Sequence, residues 1–345
     1  MDLQIALILG QDGITNGAIY ALLALALVLV FAVTRVIFIP QGEFVAYGAL
    51  TLAMMDAGRL PGTIWLLLIA GCAVAVLDGY AALKAGQQRR LAAILGLNLA
   101  YPLALLGLLK ALPLPDLPLA VQVFAALLVV VPLGPMMYRL VYQPIAEASV
   151  LVLLIVSVAA HVAMVGLGLV FFGAEGYRTP PFSEARFELG PMLISGQTLW
   201  VVLASLLLIV ALALFFDRTL YGKALRATAI NRTGARLMGI SPALAGKLTF
   251  FLAALIGVLS GVLISPITTI YYDTGFLIGL KGFVGAIIGG LASYPIAAGG
   301  ALLVGLLEAF SSFWASAYKE VIVFTLIIPV LLWRSLKSHH LEEEE

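Results

Sequence analysis

Charged residues are scarce in this chain, so the few that interrupt its apolar runs are the places to look for chemistry. The stretch Phe38-Ile39-Pro40-Gln41-Gly42-Glu43 leads into a short apolar segment, 43–56. Pro40 disfavours helix at Ile39 and Gly42 relaxes the backbone, which puts Glu43 in the first turn of a new helix. The positive end of the helix dipole favours a carboxylate there, and capping alone would explain it. A carboxylate at a broken helix within the membrane is costly, which favours a path-lining or gating role instead. Lys281 and Glu308 form a second candidate site. Each lies about five residues from the outer end of its apolar segment, so at 1.5 Å rise per residue both sit roughly 7–8 Å inside the same face. Their segments are joined by the short turn Ser293-Tyr294-Pro295 and should be neighbours. A neutralising pair and a place on the substrate path fit this equally well. Asn16 and Tyr20, one turn apart beside the small residues Gly13 and Gly17, either bond across helices or reach a pore.

Catalytic motifs are missing. No P-loop appears; if the chain takes part in transport that consumes ATP, another subunit must bind it. Neither a Gly-x-Ser-x-Gly turn nor a His-Glu-x-x-His helix is present, which argues against an intramembrane hydrolase. His161, inside an apolar run, reads as a packed helix residue hydrogen-bonded to a neighbour rather than as a base. Cys72 reads as a small apolar packing residue, with no possible internal disulfide. No cofactor or metal site is expected on this chain.

The elements that position these residues follow from composition. Of 345 residues, 63% are hydrophobic and 11% charged, against about 25% charged in soluble domains. With a mean hydropathy of +1.12, the chain needs lipid as its solvent. A net charge of +1 gives no case for nucleic acid. A bilayer core of about 30 Å needs ~20 apolar residues of helix. Spans are read at 13–34, 63–83, 90–111, 118–140, 149–172, 197–216, 248–270, 295–313 and 318–333. Two shorter pieces, 43–56 and 276–291, read as broken helices packed inside protein. Residues 3–10 are too short to span and are placed at the interface. Met1–Gln4 lack the basic region of a signal peptide, so the first hydrophobic helix is expected to remain.

These segments describe an all-α polytopic membrane protein with about eleven transmembrane helices. If 217–247 is cytoplasmic, thirteen of the 19 Lys and Arg, from Arg35 to Lys337, lie inside. Only Arg59, Lys110, Arg178, Arg186 and Lys319 lie outside, as the positive-inside rule expects. The N-terminus is then outside and the C-terminus inside. Residues 1–337 read as one transmembrane domain and 338–345 as a disordered tail. The external segment 173–196 is either a docking surface or a solvated loop. The basic segment 217–247 suits either an interfacial helix on anionic lipid or a short helix seated in a partner's groove. Gly222 and Gly239 are read as helix stops within it.

Several motifs in order resemble one family. Asn16-Gly17-Ala18-Ile19-Tyr20-Ala21 is similar to the first helix of the branched-chain amino acid ABC permeases. Gly42-Glu43 resembles the start of that family's second segment, and Val141-Tyr142-Gln143-Pro144 its Tyr-Arg-Pro element. The most specific likeness is 217–333, with Gly222…Arg226-Ala227…Gly239-Ile240, then Gly279-Leu280-Lys281-Gly282-Phe283 and Gly289-Gly290-Leu291-Ala292-Ser293-Tyr294-Pro295, then Glu308-Ala309 and Tyr318-Lys319-Glu320. The resemblance implies a permease subunit with the fold of ribose- and vitamin B12-type importers, in the bacterial inner membrane. It implies as partners a homologous second permease, two cytoplasmic ATPases that bind ATP and Mg, and a periplasmic binding protein. It makes Gly222, Lys223, Arg226, Arg232, Arg236, Leu237, Gly239 and Ile240 the loop that couples to the ATPase. Asn16, Tyr20, Phe38, Gln41, Glu43, Lys281 and Glu308 become candidate path residues. The chain departs from the family at Phe38 and Gln41, where Asn and His are usual, and has about one extra helical hairpin between 60 and 120. An aromatic wall at 38 suggests a small amino acid or organic acid with an apolar or aromatic group. The competing class is an ion-coupled secondary transporter using Glu43, Asp78, Lys281 and Glu308.

Overall fold

A computed structural model describes residues 3–189, 192–332 and 336. The tail 338–345, with Arg334 and Lys337 of the charge tally, lies outside the described residues. The first helix, α1 (Leu3–Thr34), runs unbroken for 32 residues. Residues 3–10 therefore extend this helix instead of forming a separate interfacial piece, because nothing between Gly10 and Gly13 interrupts the backbone ladder. An extended link leads into α2 (Gln41–Asp56), 16 residues long, with Glu43 in its first turn. A peripheral hairpin follows, made of α3 (Thr63–Lys84), α4 (Gln88–Leu95), a π-helical turn at Gly96–Ala100 and α5 (Tyr101–Ala111). Next come α6 (Leu119–Val130) and α7 (Leu133–Met137), which continue through irregular turns as far as Ile145. Then α8 (Val150–Phe172) precedes a two-stranded antiparallel hairpin, β1 (Arg186–Leu189) with β2 (Met192–Ser195). The chain is thus mostly helical, as expected of an all-α membrane protein, with this one short hairpin within 173–196, a segment tied back by a bridge between Tyr177 and Ile270.

The second half holds α9 (Gly196–Arg218), the short helices α10 (Leu220–Ile230) and α11 (Arg232–Leu237), and α12 (Pro242–Ile264). After these come α13 (Thr274–Ile288), α14 (Tyr294–Trp314) and α15 (Lys319–Thr325). The span read at 248–270 is displaced: Ser241 caps the helix start by accepting from the Leu244 amide, and Pro266 follows its end. Gly222 does not stop a helix but lies inside α10. A Cβ there would come within 2.2 Å of the Phe215 carbonyl oxygen, so glycine is required for packing. Gly239, at φ +84°, does follow the end of α11.

Among the described residues, eight helices are long and apolar enough to cross a membrane, with α13 shorter. They sort by burial. In α1, 89% of the most apolar stretch is enclosed by protein, against 17% in α8 and 11% in α9. The centre is built from α1, α2, α12, α13 and α14, while α3, α4–α5, α8 and α9 form an outer shell. In lipid, helices associate by close packing and not by a hydrophobic drive, so small residues collect where helices touch. Gly42 of α2 shows this best: a Cβ there would sit 2.0 Å from the Gly275 carbonyl oxygen of α13.

Candidate functional site

The inner helices hold two buried polar clusters. In the first, Lys281 of α13 places its Nζ 2.6 Å from Glu308 Oε1 of α14 and 3.1 Å from Glu320 Oε1 of α15. The Tyr20 hydroxyl of α1 donates to Glu308 Oε2 at 2.6 Å. The Lys281 and Glu308 side chains are only 6% and 11% exposed. The turn that brings α13 back against α14 has Gly290 and Leu291 at positive φ, and it puts the two charges at one depth. The direct pair is therefore present, but Glu320 adds a second carboxylate that the sequence reading did not include. Two acids surround one base, and Glu320 Oε2 has no hydrogen-bond partner among the described residues.

In the second cluster, Glu43 is fully buried and its Oε1 lies 3.0 Å from His161 Nδ1 of α8. His161 stacks on Phe276 of α13, with ring centroids 4.5 Å apart. The neighbour expected for His161 is thus the carboxylate at the break before α2. Glu43 Oε2 accepts no hydrogen bond among the described residues. One turn further along α2, the Tyr47 hydroxyl donates to the Met164 carbonyl, fixing α2 against α8.

The remaining candidates are placed differently. Phe38 is 1% exposed and packs against Phe44, Tyr142 and Phe250. Gln41 is fully buried and donates to the Ala253 carbonyl at 2.9 Å. The cavity beside Phe38 measures about 10 Å³, at or below the ~10–15 Å³ one water needs. Neither residue faces an open passage, because α12 covers both. Asn16 is half-buried one turn before Tyr20, and its side chain makes no hydrogen bond among the described residues.

At one end of the bundle, α10 and α11 form a corner between α9 and α12. Thr219 caps α10 through the Gly222 amide, and Asn231 caps α11 through the Gly234 amide. Arg226 bonds Asp217 at 2.6 Å and the Phe216 carbonyl, while Arg232 donates to Ala146 O at 3.1 Å. Lys223, Arg226 and Arg236 are exposed, and so are Leu220, Ile230, Leu237 and Met238, at 83–85%. Leu225 and Ala235 turn inward instead. Apolar side chains so far out of the core, ringed by cations, make a surface built to be covered.

The helices and the two buried polar clusters define a multi-pass membrane protein whose polar groups sit inside the bundle. A family model described as "Branched-chain amino acid transport system / permease component" matches residues 85–331. The chain belongs to that family. It is 26% identical over 330 residues to the high-affinity branched-chain amino acid transport system permease protein BraD of Pseudomonas aeruginosa, covering 94% of this chain and 92% of that protein. It is 25% identical over 333 residues to the permease protein LivH of Escherichia coli K12, covering 93% and 91%. No solved structure matches.

Proposed function

We propose that this chain is the transmembrane permease subunit of an ATP-binding-cassette importer in the bacterial inner membrane. The observation that carries this reading is the α10–α11 corner, where Leu220, Ile230, Leu237 and Met238 stand exposed among basic residues. Such a patch suits a groove on a soluble partner, the apolar side chains as anchors and the cations as orienting groups. Two cytoplasmic ATPases, carrying ATP and Mg, occupy that side. A homologous second permease completes the membrane unit, and a periplasmic protein delivers the ligand. About eleven segments cross, with the N-terminus outside and the C-terminus inside, as in ribose- and vitamin B12-type importers, and residues 1–337 act as one permease unit.

The cargo is a small amino acid with an apolar side chain, or an apolar or aromatic organic acid of similar size. Phe38 and Gln41 are enclosed within this chain, and the relatives named for branched-chain amino acids support the amino acid among these cargoes. Glu43 and the Lys281 cluster remain the groups placed to respond when the helices part. A second reading, an ion-coupled transporter acting alone, draws on the buried Glu43–His161 pair. Purification separates the two. A tagged chain expressed with its neighbouring genes should bring down ATPase and second permease in fixed ratio, whereas a chain that purifies alone and transports alone favours ion coupling.

A further inference from the structure

The peripheral hairpin of α3 and α4–α5 encloses, together with α7 and α12, a cavity of about 730 Å³. That volume falls within the ~300–1,000 Å³ typical of small-ligand sites. It belongs to neither polar cluster described above. The hairpin is pinched at one level, where Gly71 meets the Asn98 carbonyl, and it opens toward the α3–α4 turn. The walls are apolar, from Ala82, Ile94, Met136 and Phe251. The rim carries Arg90, Arg139 and Lys247 against a single acid, Asp78.

Asp78 accepts from Arg139 Nε at 2.6 Å, and Lys247 Nζ stands 3.8 Å from its other oxygen. Arg90 makes no ion pair among the described residues. Three cations against one carboxylate leave the rim with two positive charges in excess. Leu97, at the edge of the cavity, is 68% exposed, so the space opens sideways to the surface where acyl chains lie. Arg139 follows Tyr138, which packs on Gly246 and, with Arg232, borders the α11 corner, so the mouth lies at the same end as α10–α11.

We infer that this cavity is a binding site for one anionic phospholipid. Its phosphate is held by Arg90, Arg139 and Lys247, and an acyl chain lies along Ala82, Met136 and Phe251. Basic pockets between helices near the membrane surface hold anionic headgroups in this way, and the unbalanced rim selects a net negative headgroup over a zwitterionic one. The occupant would wedge the outer hairpin against α12. The inference does not depend on what the permease transports.

The test uses the full chain, with whatever subunits accompany it, in bilayers of equal phosphatidylglycerol and phosphatidylcholine. Lipid retained after detergent exchange is then counted by mass spectrometry. Phosphatidylglycerol should be retained in preference. In the Arg90→Gln/Lys247→Gln variant its retention should fall about twenty-five-fold, at roughly fivefold for each basic residue near an anionic surface. Arg90→Gln alone breaks no ion pair and should still lower retention about fivefold, which guards against a misfolded double variant. Ala81→Trp fills the mouth from an exposed position without altering charge and should also expel the lipid. Equal retention of the two lipids, retention unchanged in all three variants, or displacement by millimolar inorganic phosphate would each overturn the assignment.

Discussion

Replacing Lys281 with alanine should be the most destabilising single charge deletion in the bundle. The ammonium is 6% exposed and serves two carboxylates, at 2.6 and 3.1 Å. Breaking a buried pair by removing one partner costs about 3–5 kcal/mol, because a charge is left uncompensated. Here Glu308 would keep only the Tyr20 hydroxyl, and Glu320 would keep nothing. Glu320 is 33% exposed and partly screened, so the greater share of the loss falls on Glu308. Tyr20→Phe, which removes one hydrogen bond to a charged group, should cost about 1.5–3 kcal/mol. The Lys281→Leu/Glu308→Leu variant should recover part of the single-variant loss, and adding Glu320→Gln should recover more. The assay is reversible unfolding of the purified protein in mixed micelles, read by circular dichroism. A Lys281→Ala loss below about 1 kcal/mol, or a double variant no more stable than the single, would refute a charge-balanced cluster. A stable triple variant that still transports assigns the cluster to structure; a stable but inactive one assigns it to the path.

Two further outcomes follow from the geometry. His161→Ala should leave Glu43 with neither oxygen bonded among the described residues and cost about 1–3 kcal/mol, with Glu43→Gln restoring part of it in the same micelle assay. Equal stability of the single and double variants would show that the two side chains are not coupled. Gly42→Ala should destabilise by about 1–3 kcal/mol through the clash with the Gly275 carbonyl on α13, and wild-type stability there would mean that α2 and α13 are not in this close contact.

Legibility of the chain varied with sequence distance. Lys281 and Glu308 could be paired from sequence because helical rise and one short turn place consecutive antiparallel helices at a common depth. Glu320, on the next element, was visible only as part of a motif, since the bend between α14 and α15 leaves no periodic signal. The Glu43–His161 contact joins residues 118 apart on helices that are not consecutive, and hydropathy does not report which helices are neighbours. For Phe38 and Gln41 the missing information is related. A broken helix start gives their depth in the membrane but not the side they face, and α12 covers that side. In the connecting loop 217–247, charge marked a surface, whereas the exposure of Leu220 and Leu237 needed the three-dimensional arrangement.

ATP-driven uptake in proteoliposomes tests the central claim most directly. The chain is reconstituted with the proposed second permease and ATPases, supplied with the proposed binding protein, and assayed with a radiolabelled branched-chain amino acid. Accumulation should require ATP and every subunit. In the Arg226→Glu and Leu237→Asp variants it should fall at least tenfold while assembly of the membrane pair persists, because both residues lie on the exposed α10–α11 surface. Accumulation by this chain alone under a proton gradient, or unimpaired ATP-driven uptake by both variants, would contradict the permease and its coupling surface.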